Sequence, residues 1–380
     1  MAKLSLAELK AAVATYVGSN KVAYSSFSET RNNIVGLLDK IGKILQIDTS
    51  FFDKLEELNG EDLSFGKTIE EWYQDLVEVV DYNADTDGSR ALKFYSPTYR
   101  PVCYNISLGK KVIATSIPNN NIERAVHNEG QFVDIISTMS KRLEDSKAVF
   151  KYQVKRELLG KLCDLAEAAY SGATAYTDYA TTPMNVAEGT FYKQGSPAKY
   201  AVCVKSKTAA SGDTWATLVA GGYLIPINFV KEVPIPEDAT TGENFIKAVK
   251  HAVEVAQDVS EGYSLNGNTI GAEQGLSLFV KQNVMPSIEV DTMAGAFHLD
   301  QLAVNSNGDT LKAKVIRDFG ATTSKAYAIL MDSRMVRLHV DYEAVRENFN
   351  GAGDFLNLFS HMELTGFISR NAFFTIFVDD

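Results

Sequence analysis

The stretch Phe65–Gly172 decides the fold of this chain. It begins with FGKTIEEWYQDLVEVV (65–80), passes through a polar turn DYNADTDGS (81–89), and returns in RPVCYNISLGKKVIATSI (100–117). A lone two-stranded hairpin is marginally stable in water. A hairpin this long and this rich in aromatic and β-branched residues therefore needs another surface to lie on. We expect that surface to belong to a neighbouring subunit, which favours assembly over catalysis.

The two halves of this hairpin are predicted to be strands at Trp72–Asp81 and Val102–Ile117. Pro97 and Pro101 interrupt the returning half. Proline has no N–H to donate to a strand ladder, so the returning strand should start late or lie at a sheet edge. The turn between the halves is acidic.

A long helical pattern follows the hairpin and begins near Glu129. Glu144–Ser146 is a possible break between two helices, and Gly172 is a suitable C-terminal stop. Apolar residues recur at spacings of three and four, which places them on one helix face. They are Phe132, Ile136, Met139 and Leu143, and then Phe150, Val154, Leu158, Leu162, Leu165 and Ala169.

The remainder of the chain is predicted to be of mixed α+β class. Tyr179–Asp309 contains short strands, a helix at Glu243–Val259 and a shorter helix at Ile288–Phe297. Leu311–Asp380 is mostly strand. Its segment Phe373–Val378 is apolar on both faces, which is typical of a buried central strand.

Composition excludes several classes of protein. The 380 residues include 37 Lys and Arg against 48 Asp and Glu, giving a net charge of −11, and a dedicated nucleic-acid binder is usually basic. Three cysteines far apart in sequence argue against a disulfide framework. No apolar run reaches the roughly 20 residues that span a bilayer, so no membrane partner is expected. The N-terminus does not resemble a secretory leader.

Sequence motifs for phosphate and calcium binding lack residues at the positions that these sites require. Gly66-Lys67-Thr68 lacks the glycine that a phosphate loop needs five residues earlier, since position 61 is Glu. The turn at Asn83–Gly88 resembles half a calcium loop, but Phe94 stands where a bidentate Glu is required. We therefore expect no catalytic residue, no cofactor and no metal site. A hydrolase with a Cys or carboxylate site in the middle region stays as a remote alternative.

Three segments resemble the major capsid proteins of phi-twenty-nine-like podoviruses. They are Gly66–Leu76 with the helix that follows the hairpin, MDSRMVRLHVDYEAVRENFN (331–350), and FISRNAFFTIF (367–377). The order and spacing of these segments carry the resemblance, which is patchy over Tyr179–Asp309 and absent before Leu63. The chain stops at Asp380, which implies that it lacks the immunoglobulin-like C-terminal domain of some relatives.

The resemblance implies the Hong Kong ninety-seven type of capsid fold. The expected parts are an N-terminal arm with short helices (1–62), an extended loop (63–118), a peripheral domain with the spine helix (119–178 and 311–380) and an axial domain (179–310). It also implies a virion protein, assembled in the bacterial cytoplasm. Its expected partners are other copies in hexamers and pentamers, packaged double-stranded DNA, and portal and scaffold proteins. A shell that encloses protein cargo is the alternative.

Large aromatic residues anchor interfaces efficiently, so the hairpin aromatics are the predicted subunit contacts. They are Trp72, Tyr73, Tyr82, Tyr95 and Tyr99. Lys147, Lys151 and Lys155 flank the apolar helix face, and two interpretations of them stay open. They form a solvated face with ion pairs to Glu144 and Glu157, or they face packaged DNA without sequence specificity.

Overall fold

The computed structural model of the protein describes most of the chain from residue 51 onward. The described residues are 51–63, 69–74, 99–104, 106–118, 129–178, 184–270, 275–284, 304–306, 309–311 and 313–379. Several predictions lie outside these ranges: the helices of residues 1–50, the motif Gly66–Thr68, the turn 81–89, and the helix at Ile288–Phe297.

The described residues form three α-helices, one short 3₁₀ helix and eighteen strands. The helices are the 3₁₀ turn Glu56–Leu58, α1 (Glu129–Ser171), α2 (Trp215–Ala220) and α3 (Ala239–Ala256). The strands are β1 (Ile69–Gln74), β2 (Tyr99–Tyr104), β3 (Ile106–Pro118), β4 (Thr174–Ala175), β5 (Phe191–Gln194), β6 (Lys199–Cys203), β7 (Leu224–Pro226), β8 (Val230–Glu232), β9 (Val259–Ser264), β10 (Gly267–Ile270), β11 (Leu276–Lys281), β12 (Val304–Ser306), β13 (Asp309–Leu311), β14 (Ala313–Ile316), β15 (Ala326–Asp332), β16 (Val336–Asn350), β17 (Phe355–Ile368) and β18 (Phe374–Val378). None of the helices in these ranges is both long and apolar enough to cross a bilayer.

The chain divides into two compact units. The first consists of the described parts of Met1–Lys67, Ser107–Lys155 and Leu338–Thr365. The second consists of those of Thr68–Ile106, Arg156–Arg337 and Gly366–Asp380. The four-part division that the resemblance implies is drawn on other boundaries and stays a prediction.

Helix α1 is a single 43-residue helix, so the predicted break at Glu144–Ser146 is wrong. Polar residues do not interrupt a helix when their side chains find local partners. Here the Ser146 hydroxyl donates to the carbonyl of Arg142 at 2.7 Å, one turn earlier. The predicted end at Gly172 is confirmed, because its N–H donates to the Ala168 carbonyl and no further turn follows.

The buried face of α1 is rotated from the predicted stripe. Its centre carries Leu159, Leu162, Cys163 and Ala166, all fully buried. Leu165 falls on the rim of that face and is 44% exposed. Periodicity indicates that a helix has an apolar side, but the neighbouring strands and loops decide which residues are covered.

A five-stranded mixed sheet with helix α3 forms the core of the second unit. The strand order is β14-β11-β15-β18-β8, with α3 residues Phe245 and Val249 fully buried against it. Strand β18 lies inside the sheet and all five of its residues are buried, which confirms the predicted central strand. Helix α3 begins before the predicted Glu243, because Asp238 and Thr241 form a capping box there.

A smaller core in the same unit lies on a four-stranded sheet of order β4-β5-β6-β7. Trp215 and Leu218 of α2 pack there with aromatic residues of the sheet. Two long strands, β16 and β17, form a hairpin, and β3 pairs on the other side of β17. The mixture of helices and sheets confirms the predicted α+β class.

At Gly160, helix α1 packs close against another backbone segment. A methyl group at this position would overlap the carbonyl oxygen of Phe319. Replacing a helix-interior glycine by alanine usually stabilises a helix by about 1 kcal/mol. We expect the opposite sign for Gly160→Ala: a lower free energy of unfolding in urea. Lys161→Ala, at the exposed next position, is the matched control. Equal or greater stability of Gly160→Ala would contradict this packing.

Candidate assembly surfaces

The base of the hairpin is an antiparallel pair of β1 and β2. Trp72 lies opposite Pro101, and Gln74 lies opposite Tyr99, the first residue of β2. Strand β2 therefore includes Tyr99–Pro101, which lie before the predicted start of the returning strand at Val102. The second proline, Pro101, is accommodated because the described pair has only two strands, both of them edges.

Alternation along β1 separates the hairpin base into two faces. Glu70 and Trp72 are exposed, whereas Ile69, Glu71 and Tyr73 are partly buried. Trp72 is 68% exposed, a large value for an aromatic side chain. An exposed tryptophan on a rigid strand is a strong candidate for a protein contact.

The structure brings three of the five predicted interface residues to one place. Trp72 and Tyr73 lie on β1 and Tyr99 on the paired strand β2. Tyr82 and Tyr95 lie outside the described residues. The role of all five in subunit contacts stays a prediction.

Glu71 ties the hairpin base to the loop between β17 and β18, a contact that could not be predicted from the local sequence pattern. Its Oε1 accepts from the Ser369 hydroxyl at 2.5 Å, and its Oε2 accepts from the Arg370 N–H at 3.3 Å. These residues are almost 300 positions apart in sequence, and nothing in the local pattern pairs them.

Residues 51–63, here called the anchor segment, are attached to the edge of β16. The Gly60 N–H donates to the Leu338 carbonyl at 2.8 Å, and the Leu63 N–H donates to the Val340 carbonyl at 3.0 Å. Leu55 and Leu58 of the segment are fully buried. The segment thus adds to the sheet edge and packs its leucines inward.

A close fit at Gly60 fixes the anchor segment further. A side chain at this position would overlap the His339 ring. His339 is buried, and its Nδ1 lies 2.8 Å from the Glu61 carbonyl oxygen. Only glycine leaves room for this ring, so position 60 is constrained by packing.

Three lysines of α1 form ion pairs within the first unit. Lys147 pairs with Glu144 and with Glu343 Oε1, the latter at 2.6 Å. Lys151 reaches the other Glu343 oxygen at 3.1 Å. The Nζ of Lys155 lies 2.6 Å from an Asp53 carboxylate oxygen in the anchor segment.

Burial affects these lysines in different ways. Burial opposes the charge of Lys147, but hydrogen bonds to two carboxylates outweigh it and raise its pKa. Burial lowers the pKa of Lys155, and the single Asp53 partner offsets this only in part. Burial would raise the pKa of Glu343, but Lys147 and Lys151 hold it below the ordinary value.

The helix flank is thus not the solvated face that the spacing suggested. Lys147 is 4% exposed and Lys155 is 1% exposed, and the pairing with Glu144 is the one predicted contact found here. The DNA-facing role of Lys147, Lys151 and Lys155 stays a prediction. For such a contact, a phosphate would have to replace a carboxylate that already binds each ammonium group in this subunit.

The same residues line a cleft of about 650 Å³ between the anchor segment, α1 and β16. Its walls carry both negatively charged carboxylates and positively charged ammonium groups. No cluster of three or more His, Cys, Asp or Glu suited to a metal ion occurs in the described ranges. The cleft has the composition of a structural ionic network.

The two cysteines with described side chains do not resemble nucleophiles. Cys163 and Cys203 are both buried, and burial raises the pKa of each thiol. A cysteine nucleophile needs a lowered pKa so that it is ionised near neutral pH. These two residues therefore do not support the alternative of a cysteine hydrolase.

The fold resembles that of phage capsid structures. A chain in the capsid structure of Staphylococcus phage Andhra aligns with a TM-score of 0.54 and 10% identity, covering 88% of this chain and 86% of that one. A chain in the structure of the head fiber and inner core protein gp22 of native bacteriophage P68 aligns with a TM-score of 0.52, 10% identity and the same coverage. A comparison with curated protein sequences gives no match.

The fold is therefore that of tailed-phage capsid proteins, as predicted. The profile of the Phi29-like phage major capsid protein family matches residues 3–378. This chain belongs to that family. It is a major capsid protein of the icosahedral phage shell and a component of the virion. Membership of this family favours a phage shell over the two alternatives, a protein-cargo shell and a hydrolase.

The network around Glu343 makes stability depend on pH. Because the pKa of Glu343 is lowered in the folded state, its contribution is complete above the unfolded value and is lost as pH falls through the folded value. We expect Glu343→Gln to reduce the free energy of unfolding by about 1–2 kcal/mol at neutral pH, allowing for partial exposure. Urea unfolding of both proteins should converge well below pH 4.5, the ordinary value for Glu. A constant difference across this range would contradict the assignment.

The Lys155–Asp53 pair gives an asymmetric mutational response. Asp53→Asn leaves a buried ammonium group without its carboxylate and should cost about 3 kcal/mol of unfolding free energy. Lys155→Met should cost less, and the double variant should be more stable than Asp53→Asn alone. Lys161→Met, at an exposed position of the same helix, is the matched control. Additive effects in this double-mutant cycle would show that the pair does not interact.

Proposed function

We propose that copies of this chain assemble into hexamers and pentamers around double-stranded DNA, with the hairpin of each copy lying on the next. The observation that carries the proposal is the exposed Trp72 on a hairpin base whose other face is attached to its own subunit. Head-to-tail contacts of this kind close into rings when the rotation between copies permits.

The free energy gained by burying Trp72 can be estimated from its exposed area. A buried tryptophan side chain covers about 150–250 Å², so hiding the exposed two thirds removes roughly 130 Å² from water. At about 25 cal/mol per Å², this contributes about 3 kcal/mol for each contact. Part of it offsets the lost freedom of the subunits. A closed ring repeats the contact in every subunit, so modest single contacts support a stable shell.

The proposed partners beyond the chain itself are packaged DNA, a portal protein and a scaffold protein, with assembly in the host bacterial cytoplasm. The net charge of −11 is unfavourable for DNA contact by the whole surface. Contact with DNA therefore requires local cations and should be independent of sequence. Of Lys147, Lys151 and Lys155, Lys151 has the most exposed side chain and is the first candidate.

We propose no catalytic role for the chain. The buried thiols and the paired carboxylates of the cleft support a structural role. Purified particles should contain nuclease-protected double-stranded DNA. Particles that instead enclose only protein would overturn the DNA part of this proposal and leave the shell part standing.

The hairpin is tested by shortening it without disturbing its base. Residues 82–98 are replaced by a two-residue turn, which keeps β1 and β2 intact. We expect soluble subunits that no longer form shells, because the surface that lies on the neighbour is gone. Negative-stain microscopy and sedimentation measure the result.

Trp72→Ala is the point variant for the same question, and Glu70→Ala is its matched control on the same exposed face. We expect a large loss of particles with the first and near-normal yield with the second. Normal particles from both the shortened hairpin and Trp72→Ala would refute the role of the hairpin.

A further inference from the structure

We infer that Glu71 is a positioning residue for assembly, because its clamp on the Ser369 loop turns Trp72 toward the neighbouring copy. This inference rests on the proposed function of the hairpin and names the residue that directs it. Glu71 itself does not contact the neighbour.

The Ser369 hydroxyl can make only one arrangement of hydrogen bonds here. Its oxygen accepts from the Asn371 N–H at 3.1 Å and from the Ala372 N–H at 3.0 Å. A serine hydroxyl has one proton and two lone pairs. Both lone pairs are used, so the single proton goes to Glu71 at 2.5 Å.

The loop that receives Glu71 is held in place on its other side. Ser369 is 1% exposed, and its own N–H donates to the Met335 carbonyl at 2.7 Å. The clamp thus joins the hairpin base to a loop that the buried Ser369 attaches to the rest of the second unit. Hydrogen bonds to a charged acceptor are about twice as strong as neutral ones.

The clamp decides which face of β1 is turned outward. Successive side chains of a strand point to opposite faces. Holding Glu71 inward therefore holds Trp72 outward, and a shift of one residue would reverse the two. The pair β1–β2 has no third strand among the described residues, so side-chain contacts must provide this orientation.

Substitutions of Glu71 should reduce assembly to different degrees, according to the hydrogen-bond acceptors that each one leaves. Glu71→Ala removes both acceptors. Glu71→Gln keeps one carbonyl oxygen for the Ser369 hydroxyl, but its amide nitrogen cannot accept from the Arg370 N–H. Glu70→Ala is the matched control, because Glu70 is an exposed carboxylate on the adjacent residue and the opposite face.

Three measurements separate positioning from a general loss of stability. Particle yield reports assembly, thermal unfolding of unassembled subunits reports stability, and acrylamide quenching reports Trp72. The last is selective, because Trp215, the other tryptophan, is only 8% exposed. For Glu71→Ala we expect an assembly yield lower by about tenfold, the value of a lost charge-assisted hydrogen bond. In Glu71→Ala, acrylamide quenching of Trp72 should differ from that in the unmodified chain. The thermal unfolding midpoint should stay close to that of Glu70→Ala. Glu71→Gln should be intermediate.

The outcomes distinguish this inference from the proposed function. If Trp72→Ala blocks assembly while Glu71→Ala assembles like Glu70→Ala, the clamp is refuted and the hairpin role stands. If Trp72→Ala assembles normally, the hairpin role itself fails. If both Glu71 variants unfold at the assay temperature, Glu71 stabilises the fold in general, and the positioning role is overturned.

Discussion

Within the described residues, strands β1 and β2 pair only with each other, and the proposed role of the hairpin in assembly depends on that constraint. On β1, the inward face is attached to its own subunit through Glu71, while the outward face leaves Trp72 in water. Hydrophobic area that one subunit cannot bury is available to the next.

In the first unit, by contrast, charged side chains find their partners within the same subunit. Lys147 and Lys155 are buried, and a buried ammonium group is tolerated only when carboxylates are at hydrogen-bond distance. Glu343 and Asp53 provide them from β16 and the anchor segment. These pairs join α1 to segments far away in sequence. Such pairs specify how the parts fit together more than they add to stability.

The two units are stabilised by different kinds of interaction. The second unit has apolar cores on the five-stranded and four-stranded sheets, and its loop between β17 and β18 holds the hairpin base. The first unit holds the anchor segment by backbone bonds, buried leucines and ion pairs. A shell requires rigid attachment of the parts that contact neighbours, because a small error in angle repeats in every subunit.

Sequence by itself determined the parts whose signal is local. The limits of α1 near Glu129 and Gly172 and the central strand β18 follow from periodicity and glycine. Order and spacing of three segments also predicted the capsid family. The tertiary structure alone decided that α1 runs unbroken through Glu144–Ser146, that Lys155 is buried against Asp53, and that Glu71 holds Ser369. The physical reason is range: backbone geometry acts between near neighbours, whereas an ion pair or a clamp joins residues that only the folded chain brings together.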